Sequence, residues 1–199
     1  MAVQMGFYFD QTRCIGCAAC VVACKDWHDV PAGPASWRRL IVIEKGKYPD
    51  VFVAHLSTSC HHCAKPSCVS VCPTGAVSKR EQDGIVTVNQ ETCLGKDSCG
   101  ACLEACLYNA PQFGSEPDAM MQKCDLCQDR LAENKKPICV GACPMRALDA
   151  GPLQKLKTVY GSERRAEGFV YSDDAAPSLI LKPKSDVKNL QVRRVVVTP

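Results

Sequence analysis

The sequence predicts an α+β fold in which one small cysteine-rich unit is inserted into another and an extended C-terminal tail follows. Three observations support this prediction. The 16 cysteines of the 199-residue chain occur in four groups of four, the groups are similar to one another, and no cysteine follows Cys143. An internal repeat of this kind indicates one structural unit that is used several times.

The cysteine groups are defined by their spacing. In chain order they are Cys14-x2-Cys17-x2-Cys20-x3-Cys24, Cys60-x2-Cys63-x4-Cys68-x3-Cys72, Cys93-x5-Cys99-x2-Cys102-x3-Cys106 and Cys124-x2-Cys127-x11-Cys139-x3-Cys143. Flanking sequences match as well, because FDQTRC (9–14) is similar to VNQETC (88–93) and CPTGAV (72–77) is similar to CPMRAL (143–148). We therefore interpret the groups as copies of one unit.

Short strands and helical turns are expected around these groups. AVSK and IVTV, joined by a turn at Asp83-Gly84, predict a hairpin between the second and third groups. GFYFD (6–10) predicts an equivalent strand before the first group. Each group ends in a gap of three small or apolar residues, which is typical of a helical turn with its last two cysteines on one face. LQKLKTVYG (153–161) predicts a short helix.

Composition disfavours several classes of protein. The net charge of +3 is small and scattered, so we expect no nucleic-acid binding. The start MAVQMGFYFDQTRC lacks the features of an export signal. The sequence contains no run of about 18 apolar residues, so we expect no direct membrane span. A disulfide scaffold usually forms in an oxidising compartment, so disulfides are disfavoured for these cysteines.

The spacing favours iron–sulfur clusters over zinc. In the run C-x2-C-x2-C-x3-C-P, three cysteines hold one cubane cluster and the fourth binds another. The first group has these intervals without the proline, whereas the second and fourth have Pro73 and Pro144 with wider internal gaps. Structural zinc usually takes its four ligands from two separate CxxC pairs, and three cysteines within seven residues fit that pattern poorly.

If each fourth cysteine binds the cluster of a partner group, the groups must pair. The predicted hairpin joins the second and third groups as in a compact two-cluster ferredoxin, which leaves the first and fourth to pair around them. This predicts two nested bacterial-ferredoxin-like units: an inner unit (60–106), inserted in an outer unit (1–59 and 107–152), and a tail (153–199). Four [4Fe-4S] clusters follow, held by set A (Cys14, Cys17, Cys20, Cys143), set B (Cys24, Cys124, Cys127, Cys139), set C (Cys60, Cys63, Cys68, Cys106) and set D (Cys72, Cys93, Cys99, Cys102).

Other polar residues near the cysteines have weaker interpretations. His61 and His62 lie between ligands, and we expect them to be solvated or to donate hydrogen bonds to sulfur rather than to replace a complete cysteine ligand set. Lys123, Asp125 and Arg130 suggest either local ion pairs or a docking surface, and the sequence does not separate these alternatives.

Several longer motifs resemble one known family, the four-cluster electron-transfer subunit of the dimethyl sulfoxide reductase family of molybdenum or tungsten enzymes. The similarity is strong over residues 5–152, and PSLILKPK (177–184) is similar to the family's tail. The motifs are ACKDW (23–27), SCHHCAKPSCVSVCPTGA (59–76), YNAPQF (108–113), KCDLCQDR (123–130) and KKPICVGACPMRALDAGP (135–152).

The resemblance implies a non-catalytic subunit with the same nested pairing, of a kind used in anaerobic respiration. It implies electron transfer to or from a large pterin-containing catalytic subunit, and either a quinone-reactive membrane subunit or a soluble carrier at the other end. The location is then either cytoplasmic or, through export with a partner, the outer face of the cytoplasmic membrane. A free-standing polyferredoxin is the alternative, which the long cysteine-free tail disfavours.

The third group departs from the family pattern. Its first gap is the five-residue loop LGKDS (94–98), and Leu107 replaces the proline that follows the fourth cysteine. All four thiols remain, and a few extra loop residues cost well under about 1 kcal/mol in closure entropy. We interpret this group as a working ligand group whose loop tunes its cluster or contacts a partner.

The tail carries two apolar patches, SLIL (178–181) and VVV (195–197), without a cysteine framework. Because these patches are too dispersed for an independent core, residues 162–199 are expected to wrap around a partner.

Overall fold

The computed structural model describes residues 3–198, in which short helices and three small sheets surround the cysteine groups. The strands are Met5–Asp10 (β1), Arg39–Lys47 (β2), Asp50–Thr58 (β3), Val77–Lys79 (β4), Val86–Val88 (β5), Leu148–Pro152 (β6), Leu179–Lys182 (β7) and Val192–Thr198 (β8). The helices are Ala19–Trp27 (α1), Ser67–Ser70 (α2), Ala101–Ala105 (α3), Gln128–Ala132 (α4), Ile138–Gly141 (α5) and Leu153–Tyr160 (α6). The mixed α and β architecture agrees with the predicted fold class.

Strand β1 is the centre of the first sheet. It pairs antiparallel with β6 and parallel with β7, and both of its faces are covered. Side chains alternate across a strand, so Phe7 and Phe9 enter the main core while Tyr8 packs with Leu156 of α6 and Ile180 of β7. The predicted strand before the first cysteine group and the predicted helix at 153–161 are both confirmed.

The predicted hairpin between the second and third cysteine groups is also confirmed. Strands β4 and β5 pair antiparallel with Val77 opposite Val88, and Gly84 adopts a positive φ of 68° in the turn. Val77 and Val86 are buried in a second, smaller core with Phe113.

A long hairpin of β2 and β3 lies between the first and second cysteine groups and was not predicted. Its nine-residue strands pair along their full length, and Leu40, Ile43 and Leu56 pack into the main core. Strand β8 extends this sheet along the free side of β2. The β-branched residues of LIVI before the turn at Tyr48-Pro49 were the available sequence signal.

The first apolar patch of the tail is packed within its own chain. Ser178, Leu179, Ile180 and Leu181 are all buried, and β7 pairs with β1. This patch therefore joins the core formed by the rest of the chain, and the wrapping of residues 162–199 around a partner stays a prediction. The second patch lies in β8, where Val195 and Val197 remain more than half exposed.

Among the described helices, none combines the length and the apolar character required to cross a lipid bilayer.

Replacing Ile180 with alanine tests whether the tail belongs to the core of the isolated chain. Its side chain is 1 % exposed, so we expect Ile180→Ala to lower the free energy of unfolding by about 2–5 kcal/mol. Denaturant titration followed by circular dichroism measures the change. Val187→Ala, at a residue that is 94 % exposed, is the matched control and should change stability little. Equal stability of both variants would contradict the packing of β7.

Candidate metal centres

The first two cysteines of each group lie in loops, and the third lies on a short helix. The third cysteines are Cys20 on α1, Cys68 on α2, Cys102 on α3 and Cys139 on α5. On α1 the third and fourth cysteines, Cys20 and Cys24, lie one turn apart and are both buried. The prediction that a helical turn carries the end of a group is confirmed there.

Backbone N–H groups point at several thiols from the loops that follow them. The donors are Val77 N to Cys72 Sγ (3.5 Å), Ala110 N to Cys106 Sγ (3.4 Å), Leu126 N to Cys124 Sγ (3.4 Å) and Ala147 N to Cys143 Sγ (3.3 Å). Such hydrogen bonds favour the thiolate over the thiol. At Cys72, burial alone raises the pKa, but the Val77 N–H and the Thr74 hydroxyl lower the pKa below its ordinary value.

The cysteines of set A and those of set D each surround one cavity. Set A lines a space of about 330 Å³ together with Phe9, Leu40 and Ala147. Set D lines a space of about 340 Å³ together with Val77, Leu94 and Phe113. Each of these cavities is therefore lined by three cysteines of one group and the fourth cysteine of another. The longer loop of the third group therefore still leaves a cavity among the four cysteines of set D.

The cysteines of sets B and C influence one another electrostatically within each set. Burial, opposed by Arg38 and assisted by Cys139 and Cys127 of the same set, raises the pKa of Cys24 to about 12. Burial likewise raises the pKa of Cys63 to about 12, with contributions from its set partners Cys60, Cys106 and Cys68.

Electrostatic influences between neighbouring sets link them in the order A, B, C, D. Burial lowers the pKa of Arg38, whereas thiols of both set A (Cys20) and set B (Cys139, Cys124 and Cys24) raise it. Burial raises the pKa of Cys124 of set B, and Cys60 of set C adds to this rise. Burial raises the pKa of Cys68 of set C, and Cys102 of set D adds to this rise.

The two ends of this row reach the surface. All four cysteines of set B are buried, whereas the two exposed cysteines among the sixteen are Cys17 of set A and Cys99 of set D. The end cavities are also lined by partly exposed apolar side chains, namely Ile15 and Met145 at set A and Leu94 at set D.

The spacing of the thiols fits a cluster better than a single zinc ion. Four sulfurs around one tetrahedral zinc lie about 3.8 Å apart, because each Zn–S bond is about 2.3 Å. Within residues 3–198, no three cysteines place their sulfur atoms within 4.8 Å of one another. Four cysteine thiolates are the ligand set of a [4Fe-4S] cluster, which is larger than an ion. The residues present therefore fit such clusters.

Buried cations provide a second sign that these sites hold anions. Arg38, Arg39 and Lys123 are all buried, and no carboxylate within residues 3–198 lies at salt-bridge distance from them. Isolated buried charges are strongly unfavourable. Their neighbours include thiols, since Arg39 lies beside Cys106 and Lys123 beside Cys68. Anionic clusters would supply the missing negative charge.

The two histidines between the ligands of the second group are buried, so the solvated interpretation is wrong. His61 packs edge-on against Tyr108 and Phe169, and His62 Nδ1 accepts a hydrogen bond from Val86 N. Burial, and then the nearby Arg38 and Arg39, lower the pKa of His61 to about 3, so this side chain is neutral at pH 7.

Lys123 belongs to the interior and to neither of the alternatives considered for it. Its ammonium donates to the carbonyls of Val86 and Cys124, which corrects the expectation of an ion pair or a docking surface. Sequence reasoning also missed His28, whose Nε2 lies 3.3 Å from Cys127 Sγ. Its position one helical turn after Cys24 was the only signal.

The five-residue loop of the third group is held against its own chain. Lys96 N donates to Ala119 O at 3.1 Å. Gly95 has a φ of +80°, and a β-carbon there would lie 2.9 Å from Asp118 O. Glycine is therefore required at position 95, where the loop lies closest to Asp118. Lys96 and Asp97 of the same loop are exposed.

Comparison with known proteins agrees with this geometry. A family model described as a 4Fe-4S dicluster domain matches residues 51–153. One of the chains of anaerobic dimethyl sulfoxide reductase from Escherichia coli (strain K12) is 41% identical over 194 residues, covering 94% of the present sequence and 92% of the relative. One of the subunits of sulfite dehydrogenase from Allochromatium vinosum is 37% identical over 164 residues, which cover 72% of the present sequence and 67% of the relative. The protein belongs to the family of 4Fe-4S dicluster proteins that includes this component of anaerobic dimethyl sulfoxide reductase.

Proposed function

We propose that this protein is an iron–sulfur subunit that passes electrons through four [4Fe-4S] clusters to or from the molybdopterin-type catalytic subunit of a multi-subunit oxidoreductase. The observation that carries the proposal is the series of four cysteine sets, of which set B is fully buried while sets A and D, at the two ends, each expose one cysteine. A row of this form connects two partners across the protein. Relatives that are named as components of a reductase and of a dehydrogenase support the subunit role.

The residues of the chain bind and surround these clusters. When bound, a [4Fe-4S] cluster supplies a one-electron carrier whose potential depends on charge, hydrogen bonds to sulfur and solvent exposure. Backbone N–H groups of nearby residues donate hydrogen bonds to the sulfurs of Cys72, Cys106, Cys124 and Cys143. Burial of set B excludes water from the middle of the row. This role requires no side chain that acts as an acid, a base or a nucleophile, so we propose no catalytic residue.

Strand pairing supports the nested arrangement of the two units. Strand β5 leads into the third cysteine group and pairs with β4, which follows the second. In the same way β1 leads into the first group and pairs with β6, which follows the fourth. We retain 60–106 as the inner unit and 1–59 with 107–152 as the outer unit.

The partners proposed are a large molybdenum or tungsten pterin subunit at one end of the row and a quinone-reactive membrane subunit or soluble carrier at the other. Strand β8 offers one surface for such contacts, because it forms the edge of its sheet and exposes Val192, Val195 and Val197. An exposed apolar edge strand invites pairing with another polypeptide. A free-standing carrier would not need this edge.

Iron content tests the number of clusters. Four complete sets imply about sixteen irons per chain, and anaerobically prepared protein should approach this value by metal analysis. Zinc measured in the same sample is the control for the alternative metal. A dominant zinc signal, or iron near half of the expected amount, would rule out four cubane clusters.

Shortening LGKDS to two residues tests the third group. We expect iron content to be preserved, because all four thiols of set D remain, and one of four redox transitions to shift. Metal analysis measures the iron content, and potentiometric titration followed by electron paramagnetic resonance measures the redox transitions. The control is Lys96→Ala with Asp97→Ala at native loop length, which removes the exposed charges alone. A three-iron cluster or an empty site in the native protein would show that the group does not bind a full cluster.

Removal of residues 191–199 tests the role of β8 in assembly. This truncation spares β7, so the cluster spectra should be unchanged while co-purification with the catalytic subunit weakens. Val195→Asp with Val197→Asp should give the same loss, since both are exposed on one face of the strand. Val187→Asp, at an exposed residue outside the strands, is the control. Undiminished complex in both β8 variants would exclude this contact.

A further inference from the structure

Arg38 occupies an unusual position for a charged side chain. It lies directly before β2 and is 2 % exposed. Its Nη1 donates to Ser57 Oγ at 3.0 Å, its Nη2 donates to Ser59 Oγ at 2.9 Å, and its Cζ lies 4.8 Å from the centre of the Phe7 ring. These contacts fix the guanidinium in one place, while its Nε has no hydrogen-bond partner among the described residues.

No carboxylate compensates this charge. Across residues 3–198, no aspartate or glutamate lies within salt-bridge distance of Arg38. A buried cation left without an opposite charge is strongly destabilising. The two serines accept hydrogen bonds but carry no charge. The compensating negative charge must therefore come from the other groups around the guanidinium.

Those groups are thiols of two different metal centres. Ser57 Oγ, which accepts a hydrogen bond from Arg38 Nη1, also lies 3.4 Å from Cys20 Sγ. Burial lowers the pKa of Arg38, but Cys139, Cys20, Cys124 and Cys24 together raise its pKa above the ordinary value. Cys20 belongs to set A and the other three to set B. The influence is mutual, since Arg38 also opposes the burial-driven rise in the pKa of Cys139.

We propose that Arg38 is a positioning residue whose guanidinium is the shared counter-charge of sets A and B and raises the reduction potentials of the two clusters they hold. The inference rests on the proposed function and adds to it. Each one-electron reduction makes a cluster more negative, and a fixed cation in a medium of low dielectric constant stabilises the reduced form. Arg38 thereby favours residence of the electron in the first half of the row.

The test is a potentiometric titration of the iron-loaded full-length protein, followed by electron paramagnetic resonance. The four transitions are first assigned with one serine variant for each set, at Cys17, Cys127, Cys63 and Cys99. For Arg38→Gln we expect the transitions of sets A and B to fall so that the ratio of reduced to oxidised cluster drops at least tenfold at fixed potential, equal to about 59 mV for one electron. The transitions of sets C and D should not move.

Two further variants separate charge from structure. Arg39→Gln is the matched control, because the neighbouring arginine lies beside Cys106 of set C and should leave the transitions of sets A and B in place. Ser59→Ala keeps the charge of Arg38 and removes one of its hydrogen bonds. We therefore expect it to lower the reduction potentials of sets A and B by less than Arg38→Gln does. This variant decides the question if Arg38→Gln does not retain iron.

The proposal is overturned if Arg38→Gln, or Ser59→Ala where the first variant loses iron, moves no transition or moves all four equally. Failure of the proposed function looks different, because the native protein itself would then lack four one-electron transitions.

Discussion

Convergence of cysteines from distant segments at each proposed metal centre is the constraint on which the rest of this structure depends. Set B joins Cys24 of the first group to three cysteines of the fourth, and set D joins Cys72 to the third. The pairing of β1 with β6 and of β4 with β5 brings these groups together. A three-residue pair such as β4 and β5 is marginal by itself. Metal binding that contributes folding free energy explains how such short elements define a fold.

Charge balance follows from the same constraint. Burial raises the pKa of most of the interior thiols, which means that their anionic forms need compensation. The chain provides backbone N–H groups and places Arg38, Arg39 and Lys123 in the interior. The two arginines in turn help to keep His61 neutral, with its pKa lowered to about 3 by burial first and by these cations next. The interior polar residues thus form one electrostatic arrangement around sites for anions.

Sequence reasoning succeeded where chemistry depends on local spacing. The four groups, the hairpin at Asp83-Gly84 and the helix that follows Pro152 all lie in short, contiguous patterns, and the structure contains the hairpin and the helix. It failed where burial depends on distant partners. Nothing near Arg38 in the sequence indicates that Ser57, Ser59 and Phe7 enclose it. The pairing of SLIL was likewise not predicted, because the strand that it joins precedes the first cysteine group.

The course of the tail follows from these distant contacts. Ala176 and Ala175 accept hydrogen bonds from the backbone of Ala64 and Lys65, beside the second cysteine group. Strand β7 then completes the sheet of β1, and β8 ends on the sheet of β2. The tail therefore connects both larger sheets to the loop that carries set C. Because most of this path is fixed within the protein, its contribution to a partner interface is confined to exposed segments such as β8, whose position is set by the core before any partner binds.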